Sequence, residues 1–318
     1  MFKFSGPWAG LWVAASVCAG GAQAQPYAYV PNEGSGTVSV IDTSSDAVVA
    51  EMAAGKKPRG LAVSVDGQWL YVSDQPVNQL QVIDLRQRQR VASVDLGESP
   101  EGVGISPDGR WVAVAVEGHN EIVVVDTRSR QVDARIAVQG KNPEHVVFSP
   151  DGRTLLVSAE EGDAVDIIDF LARKQVAQVA VGARPRGIGF LPDGSRAYVA
   201  AENSDEVYVI DVKARSIVAR IKAGSRANGV AVHPEGRHVY VSNGGAASVS
   251  VIDAATNAIV ATVPVGQRPW NMALTPDGSK LYVANGRSGT VSVIDTRSNT
   301  KARDVAVGKL PWGVVVGR

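Results

Sequence analysis

Pro276-Asp277-Gly278-Ser279-Lys280-Leu281-Tyr282-Val283-Ala284-Asn285, continued by Thr290-Val291-Ser292-Val293-Ile294-Asp295, is the stretch that decides the fold. Proline presets φ and glycine tolerates positive φ, so Pro-Asp-Gly reads as a tight turn. The runs after it are short and rich in β-branched residues, which marks strands. Upstream lie a third such run, Ala258-Ile259-Val260-Ala261-Thr262-Val263, and a glycine-to-proline lead-in, Gly266-Gln267-Arg268-Pro269.

Outward from this stretch the same set recurs every ~42 residues. The Val/Ile run ends in aspartate at Asp42, Asp84, Asp126, Asp169, Asp211, Asp253 and Asp295. The turn returns as Val65-Asp66-Gly67, Pro107-Asp108-Gly109, Pro150-Asp151-Gly152, Pro192-Asp193-Gly194 and Pro234-Glu235-Gly236. The lead-in starts at Gly55, Gly97, Gly140, Gly182, Gly224, Gly266 and Gly308, with Ala227 replacing its proline once. Four antiparallel strands per ~40 residues predict a propeller blade, and the absence of a 3.6-residue period excludes a helical solenoid. Seven aspartate markers against six such turns imply one shared blade. Its inner strand comes from Pro311–Gly317 and its other three begin at Tyr27. The expectation is an all-β, seven-bladed β-propeller over residues 25–318. Its ring is closed by a C-terminal inner strand joining three N-terminal strands, which removes two open sheet edges.

Tyr71-Val72-Ser73-Asp74, Tyr240-Val241-Ser242-Asn243 and Tyr282-Val283-Ala284-Asn285 carry a further likeness. With them the chain resembles the YVTN-type β-propeller repeat family, in its periplasmic or secreted bacterial form, over the whole length after residue 24. The resemblance implies the fold strongly and a function weakly. Similar repeats occur in surface proteins, in binding proteins and in proteins linked to periplasmic redox systems, and the resemblance supplies no catalytic set.

The first 24 residues differ from the rest. Lys3 is followed by an apolar stretch, Trp8 to Cys18, and by Ala22-Gln23-Ala24, which reads as a signal peptide cleaved before Gln25 and places the protein in the periplasm or outside the cell. That stretch is too short to span a bilayer, so no membrane association is expected. Cys18 is the only cysteine, and Ala15-Ser16-Val17 before it makes a poor lipid-attachment signal. A mature chain without cysteine has no disulfides and no thiolate chemistry. The 32 basic and 32 acidic residues balance; removing Lys3 leaves 31 against 32, so bulk attraction to nucleic acid or anionic membrane is absent.

Departures from the repeat locate the candidate site. The residue after the lead-in proline runs Arg59, Glu101, Glu144, Arg186, Asn228, Trp270, Trp312 around the ring, and the residue after the Tyr-Val motif runs Glu33, Gln75, Glu117, Glu160, Glu202, Gly244, Gly286. Both positions fall on loops at one mouth of the central channel. One sector of that mouth is expected to collect Glu101, Glu117, His119, Glu144, His145, Glu160, Glu161 and Glu202. The opposite sector is expected to hold Trp270, Trp312, Arg59, Arg268, Arg287, Asn228, Asn243, Asn271 and Asn285. His145, Glu144, His119 and Glu117 are the candidate ligands for a divalent cation, since an oxygen-rich set with imidazole suits Ca²⁺, Mg²⁺, Mn²⁺ or Zn²⁺. Against this stands a solvated acidic rim neutralised by Lys141, Arg184 and Arg186. Trp270 and Trp312 offer a platform for a flat ring or unpaired bases, with Arg59, Arg186, Arg268 and Asn228 around it, against plain tryptophan packing. The strand-end aspartates are read as turn caps, and His233 and His238 as structural.

The favoured reading is a monomeric, non-catalytic propeller that binds a small molecule or a periplasmic protein partner, such as a redox enzyme, at its channel mouth. Two alternatives stand beside it: a metal-assisted lyase or lactonase on the Glu/His sector, and single-stranded nucleic-acid binding on the Trp/Arg sector. No G-x-S-x-G, H-E-x-x-H, phosphate-binding loop or C-x-x-C-H is present to favour catalysis or electron transfer.

Overall fold

The structure is a computed structural model and describes residues 1–3 and 26–317. The leader reading therefore rests on residues almost all of which lie outside the described part. Among the described residues no helix is long and apolar enough to cross a membrane.

Seven four-stranded antiparallel sheets form the ring, as the repeat predicts. Blade 2 shows the pattern: Pro58–Val63 innermost, then Trp69–Asp74, Gln79–Asp84 and Gln89–Asp95 outermost. Blades 3 to 7 start at Pro100, Pro143, Pro185, Ala227 and Pro269. Blade 1 is the shared one. Tyr27–Asn32, Thr37–Asp42 and Ala47–Ala53 are joined on the inside by Val315–Val316, in the register Ala28 to Val316 and Tyr29 to Val315, with a further bridge from Asn32 to Pro311.

Local chemistry explains why each blade repeats. Asp126 Oδ1 accepts the backbone N–H groups of Arg128 at 2.8 Å and Ser129 at 2.9 Å, so the strand-end aspartate folds its own turn. Asp108 does the same for Arg110 N–H at 3.0 Å and accepts the Ser106 hydroxyl, with Gly109 at φ 71° supplying the left-handed corner. His233 is buried at the equivalent turn of blade 6 and accepts Glu235 N–H on Nδ1 at 3.2 Å, a structural role.

The core lies between blades. Tyr71, Leu80, Val82 and Val94 of blade 2 pack against Val112, Val114, Val123 and Val125 of blade 3, and an equivalent cluster fills each of the other six junctions. Tyr71, Tyr198, Tyr240 and Tyr282 are fully buried there, as motif tyrosines should be. The closing junction carries extra polar contacts: Lys280 Nζ lies 2.9 Å from Asp46 Oδ1, and the Tyr282 hydroxyl also donates to Asp46.

Candidate functional site at the channel mouth

Seven inner strands converge on a narrow channel. Their third residue is Gly60, Gly102, Gly187, Gly229 and Gly313 in five blades, but His145 in blade 4 and Asn271 in blade 7. The reason for glycine is contact: a Cβ on Gly102 would lie 2.5 Å from the Glu144 carbonyl oxygen. Where the rule lapses, side chains enter the channel. His145 stacks on Trp312 from across the ring, with centroids 5.4 Å apart and planes 10° apart, and Asn271 is a polar neighbour of His145. Trp312 is 7% exposed and its backbone N–H donates to the Pro31 carbonyl at 2.9 Å. The imidazole faces a crowded channel rather than bulk water. Desolvation first, then the Arg186 charge, drives its pKa down to about 3, so it is neutral, and its Nδ1 has no hydrogen-bond partner.

Around this plug runs a chain of buried charges. Arg59 pairs with Glu101 and lies 3.4 Å from Glu33. Arg186 pairs with Glu160 and sits 3.3 Å from Glu144 and 3.8 Å from Glu202. Four guanidinium groups close on Glu202: Arg268 by a hydrogen bond, Arg184 at 3.4 Å, Arg186, and Arg226 at 4.0 Å. Glu101, Glu144 and Glu202 are 0%, 2% and 1% exposed. Burial opposes the charge of Arg186, but Glu144, Glu160, Glu202 and Glu101 more than offset that, and it stays protonated. Burial pushes the Glu101 carboxyl up, Glu144 adds to the push, and Arg59 only partly restrains it.

Several expectations are corrected here. Arg59 and Arg268 do not belong to a separate sector opposite the acids; they interleave with them. Arg268 passes over Gly244, where a Cβ would stand 2.9 Å from Nη1, and so reaches blade 5 from blade 7. The acidic side is not a solvated rim, because its central carboxylates are buried, although Arg184 and Arg186 do pair with Glu160. The four cation candidates are not brought together. Glu117 and Glu144 are, with Glu160 as their third member, their ligand atoms all within 4.8 Å of one another. His119 is exposed and turned toward Gly97 and Arg135, and His145 is engaged with Trp312. Trp270 and Trp312 form no common platform: Trp270 lies half-buried with its six-membered ring on Gly286, while Trp312 points into the channel. Asn228 is buried, with Nδ2 lacking a partner. Ser99 and Arg226 escaped the sequence reading. Arginine at the residue before the lead-in proline or alanine in three consecutive blades, Arg184, Arg226 and Arg268, was the available signal.

Such an arrangement defines a seven-bladed propeller with a plugged channel and a charge-lined mouth. The model of the YNCE-like beta-propeller family matches residues 104–317, and the chain belongs to that family. A second model, described as a domain of unknown function, matches residues 28–172. No curated protein matches the chain. Among solved structures it is similar to Kuenenia stuttgartiensis hydrazine synthase, with 27% identity over 84% of this chain and 92% of that one, TM-score 0.79. It is also similar to a functionally unknown protein of Desulfotomaculum acetoxidans (17% identity, 92% and 99% covered, TM-score 0.81). A third similar structure is the dihydro-heme d1 dehydrogenase NirN in complex with DHE (19%, 91% and 74%, TM-score 0.68). The last two likenesses concern the fold alone.

Proposed function

We propose that this protein is a non-catalytic binding propeller whose channel mouth receives a charge-bearing small molecule or the charged surface of a protein partner. One observation carries the reading. Of the eleven buried side-chain polar atoms that lack a hydrogen-bond partner among the described residues, seven lie at this mouth: Glu101 Oε2, His145 Nδ1 and Asn228 Nδ2 have no partner, while Arg59 Nε, Arg184 Nε, Arg186 Nε and Glu202 Oε2 are held only at ion-pair distances of 3.4 to 3.8 Å. Buried polar groups are as a rule satisfied, and each orphan costs about 1–3 kcal/mol. A cluster of both signs at one concave place fits recognition better than stability.

The Trp312–His145 stack closes the channel, so a ligand sits on the mouth and does not pass through. The leader-like composition of the first 24 residues supports a periplasmic or extracellular setting for this activity, with the propeller acting as a monomer. The likeness to a chain of hydrazine synthase supports a redox enzyme as the partner class. A lyase or lactonase and single-stranded nucleic-acid binding have less support, since His145 lies flat against Trp312 and the two tryptophans do not share a face.

The test is a thermal-shift panel of amines, carboxylates, phosphates and zwitterions on the mature protein and on an Arg184→Glu/Arg226→Glu variant, Arg226 being exposed and Arg184 half-buried. Stabilisation by one class that disappears in the variant supports the reading. Stabilisation that is equal in both proteins removes the mouth as the site, and no stabilisation by any class removes the small-molecule form.

A further inference from the structure

We propose that Arg226, Arg268 and Asn228 hold a carboxylate group of the ligand at the mouth, over Gly244 of blade 6. This rests on the mouth-binding reading and names the chemistry of the ligand's anionic end.

The repeat itself shows which group is missing. The cation before the lead-in proline of one blade meets the acid after the Tyr-Val motif of the blade before it: Lys57 lies 3.2 Å from Glu33, and Arg184 pairs with Glu160. Arg226 faces Glu202 in the same way but only at 4.0 Å. Arg268 has no such partner, because Gly244 takes the place of the acid. Its guanidinium lies across that glycine, where a Cβ would be 2.9 Å from Nη1, and gives one N–H, from Nη2, to Glu202 two blades away. Arg226 and Arg268 therefore share a carboxylate that Arg184 and Arg186 also approach.

The imbalance extends beyond this one position. The mouth loops 223–226, 244–247, 265–268, 286–289 and 307–310 carry Arg226, Arg268, Arg287 and Lys309 and no acid. Asp205 of blade 5 is spent on the backbone N–H of Arg226 at 2.7 Å. The Arg226 side chain is 56% exposed, and Arg287 and Lys309 are exposed as well, so an arriving anion meets these cations first.

The independent observation is Asn228. It is 1% exposed, and its Nδ2 has no hydrogen-bond partner among the described residues. It holds the ring position that Arg59 and Arg186 hold in blades 2 and 5. The backbone ties it to the same place, since Ala227 pairs with Asn243 and the Gly244 N–H donates to the Arg226 carbonyl at 2.7 Å. A buried donor left unpaired is costly, and what it lacks is an acceptor. A planar carboxylate accepts parallel N–H groups from a guanidinium, and it is the group that the repeat itself supplies at this position as Glu33, Glu117, Glu160 and Glu202.

The experiment is calorimetric titration of the mature protein with succinate and citrate at low salt, with phosphate and sulfate as control anions. The expected result is saturable carboxylate binding with a dissociation constant on the order of 1 mM, weakening as salt is added. Gly244→Glu supplies the missing acid from within the chain and should abolish binding. Arg226→Gln changes an exposed side chain, so it should leave the ligand-free melting point in place and weaken binding roughly tenfold. In NMR spectra the Asn228 side-chain amide should move on addition of succinate while the Trp69 indole, on the face of the turns, stays still. If Gly244→Glu does not fold, Arg226→Gln and the Asn228 resonance decide. The proposal is overturned if no carboxylate binds, if a folded Gly244→Glu or Arg226→Gln protein binds as tightly as wild type, if phosphate or sulfate binds more tightly than the carboxylates, or if binding leaves the Asn228 amide unmoved. An amine that stabilises the protein where carboxylates do not would also overturn it and leave the mouth-binding reading in place, so the two fail separately.

Discussion

The two faces of the ring are cut from the same repeat yet treat their carboxylates in opposite ways. On the face of the Pro-Asp-Gly turns, each acid is satisfied by its near neighbours. The Ser106 hydroxyl and the Arg110 N–H hold Asp108 below the usual carboxylate range, and N–H groups of Ser129 and Arg128 help do the same for Asp126. At the channel mouth, Glu101 and Glu117 are pushed up by burial and by other carboxylates; Glu101 takes its partners, Arg59 and Gln75, from the neighbouring blade, and Glu117 takes Ser99 from 18 residues away. One face is local, exposed and structural; the other is long-range, buried and left with unpaired atoms. Uniform faces stabilise a propeller, and the irregular one is where a site is expected.

The largest effect should come from the guanidinium that three mouth acids share. Arg186→Met leaves Glu144, Glu160 and Glu202 with a buried charge deficit, and urea unfolding should register a loss of about 3–5 kcal/mol. A loss below about 1 kcal/mol would mean that the mouth is wet and its contrast with the other face is smaller than the burial indicates. Next, Trp312→Ala empties the channel plug, with an expected cost of about 3 kcal/mol. NMR titration of His145 should then show its pKa returning from about 3 toward the ordinary 6.5. An unmoved value would assign its depression to Arg186 instead of enclosure.

The pH profile separates two mouth residues by sign. His145 has a folded pKa below its unfolded one, so its contribution is present above about 6.5 and is lost as pH falls toward about 3. Glu101 is raised, so the folded state keeps a proton the unfolded chain has released, and stability falls as pH climbs past the ordinary glutamate range. His145→Asn should flatten the acid limb and Glu101→Gln the alkaline limb, read by melting temperature against pH. If both variants flatten the same limb, the sign assignment is wrong. The smallest effect belongs to the other face, where Asp108→Ala removes one exposed turn cap at a cost of about 1 kcal/mol or less.

The same contrast explains what could be read in advance. Blade number, strand order and the shared blade were legible because Asp126, Gly109 and their repeats act within three or four residues of themselves. The residue types of the mouth were legible too, since they sit at fixed repeat positions. Their arrangement was not. Arg268 reaches two blades back only because Gly244 leaves a gap, Trp270 lies flat only because Gly286 has no side chain, and Trp312 finds His145 on the far side of the channel. Each outcome depends on space left by residues far away in sequence, which no local pattern encodes.

Pro311–Val316 closes the ring and, through Trp312, also plugs the channel. In order of synthesis this segment is the last part of the propeller to appear. During folding the charged mouth therefore has no floor until blade 1 receives its inner strand, so on the proposed reading occupancy of the mouth reports a completed ring.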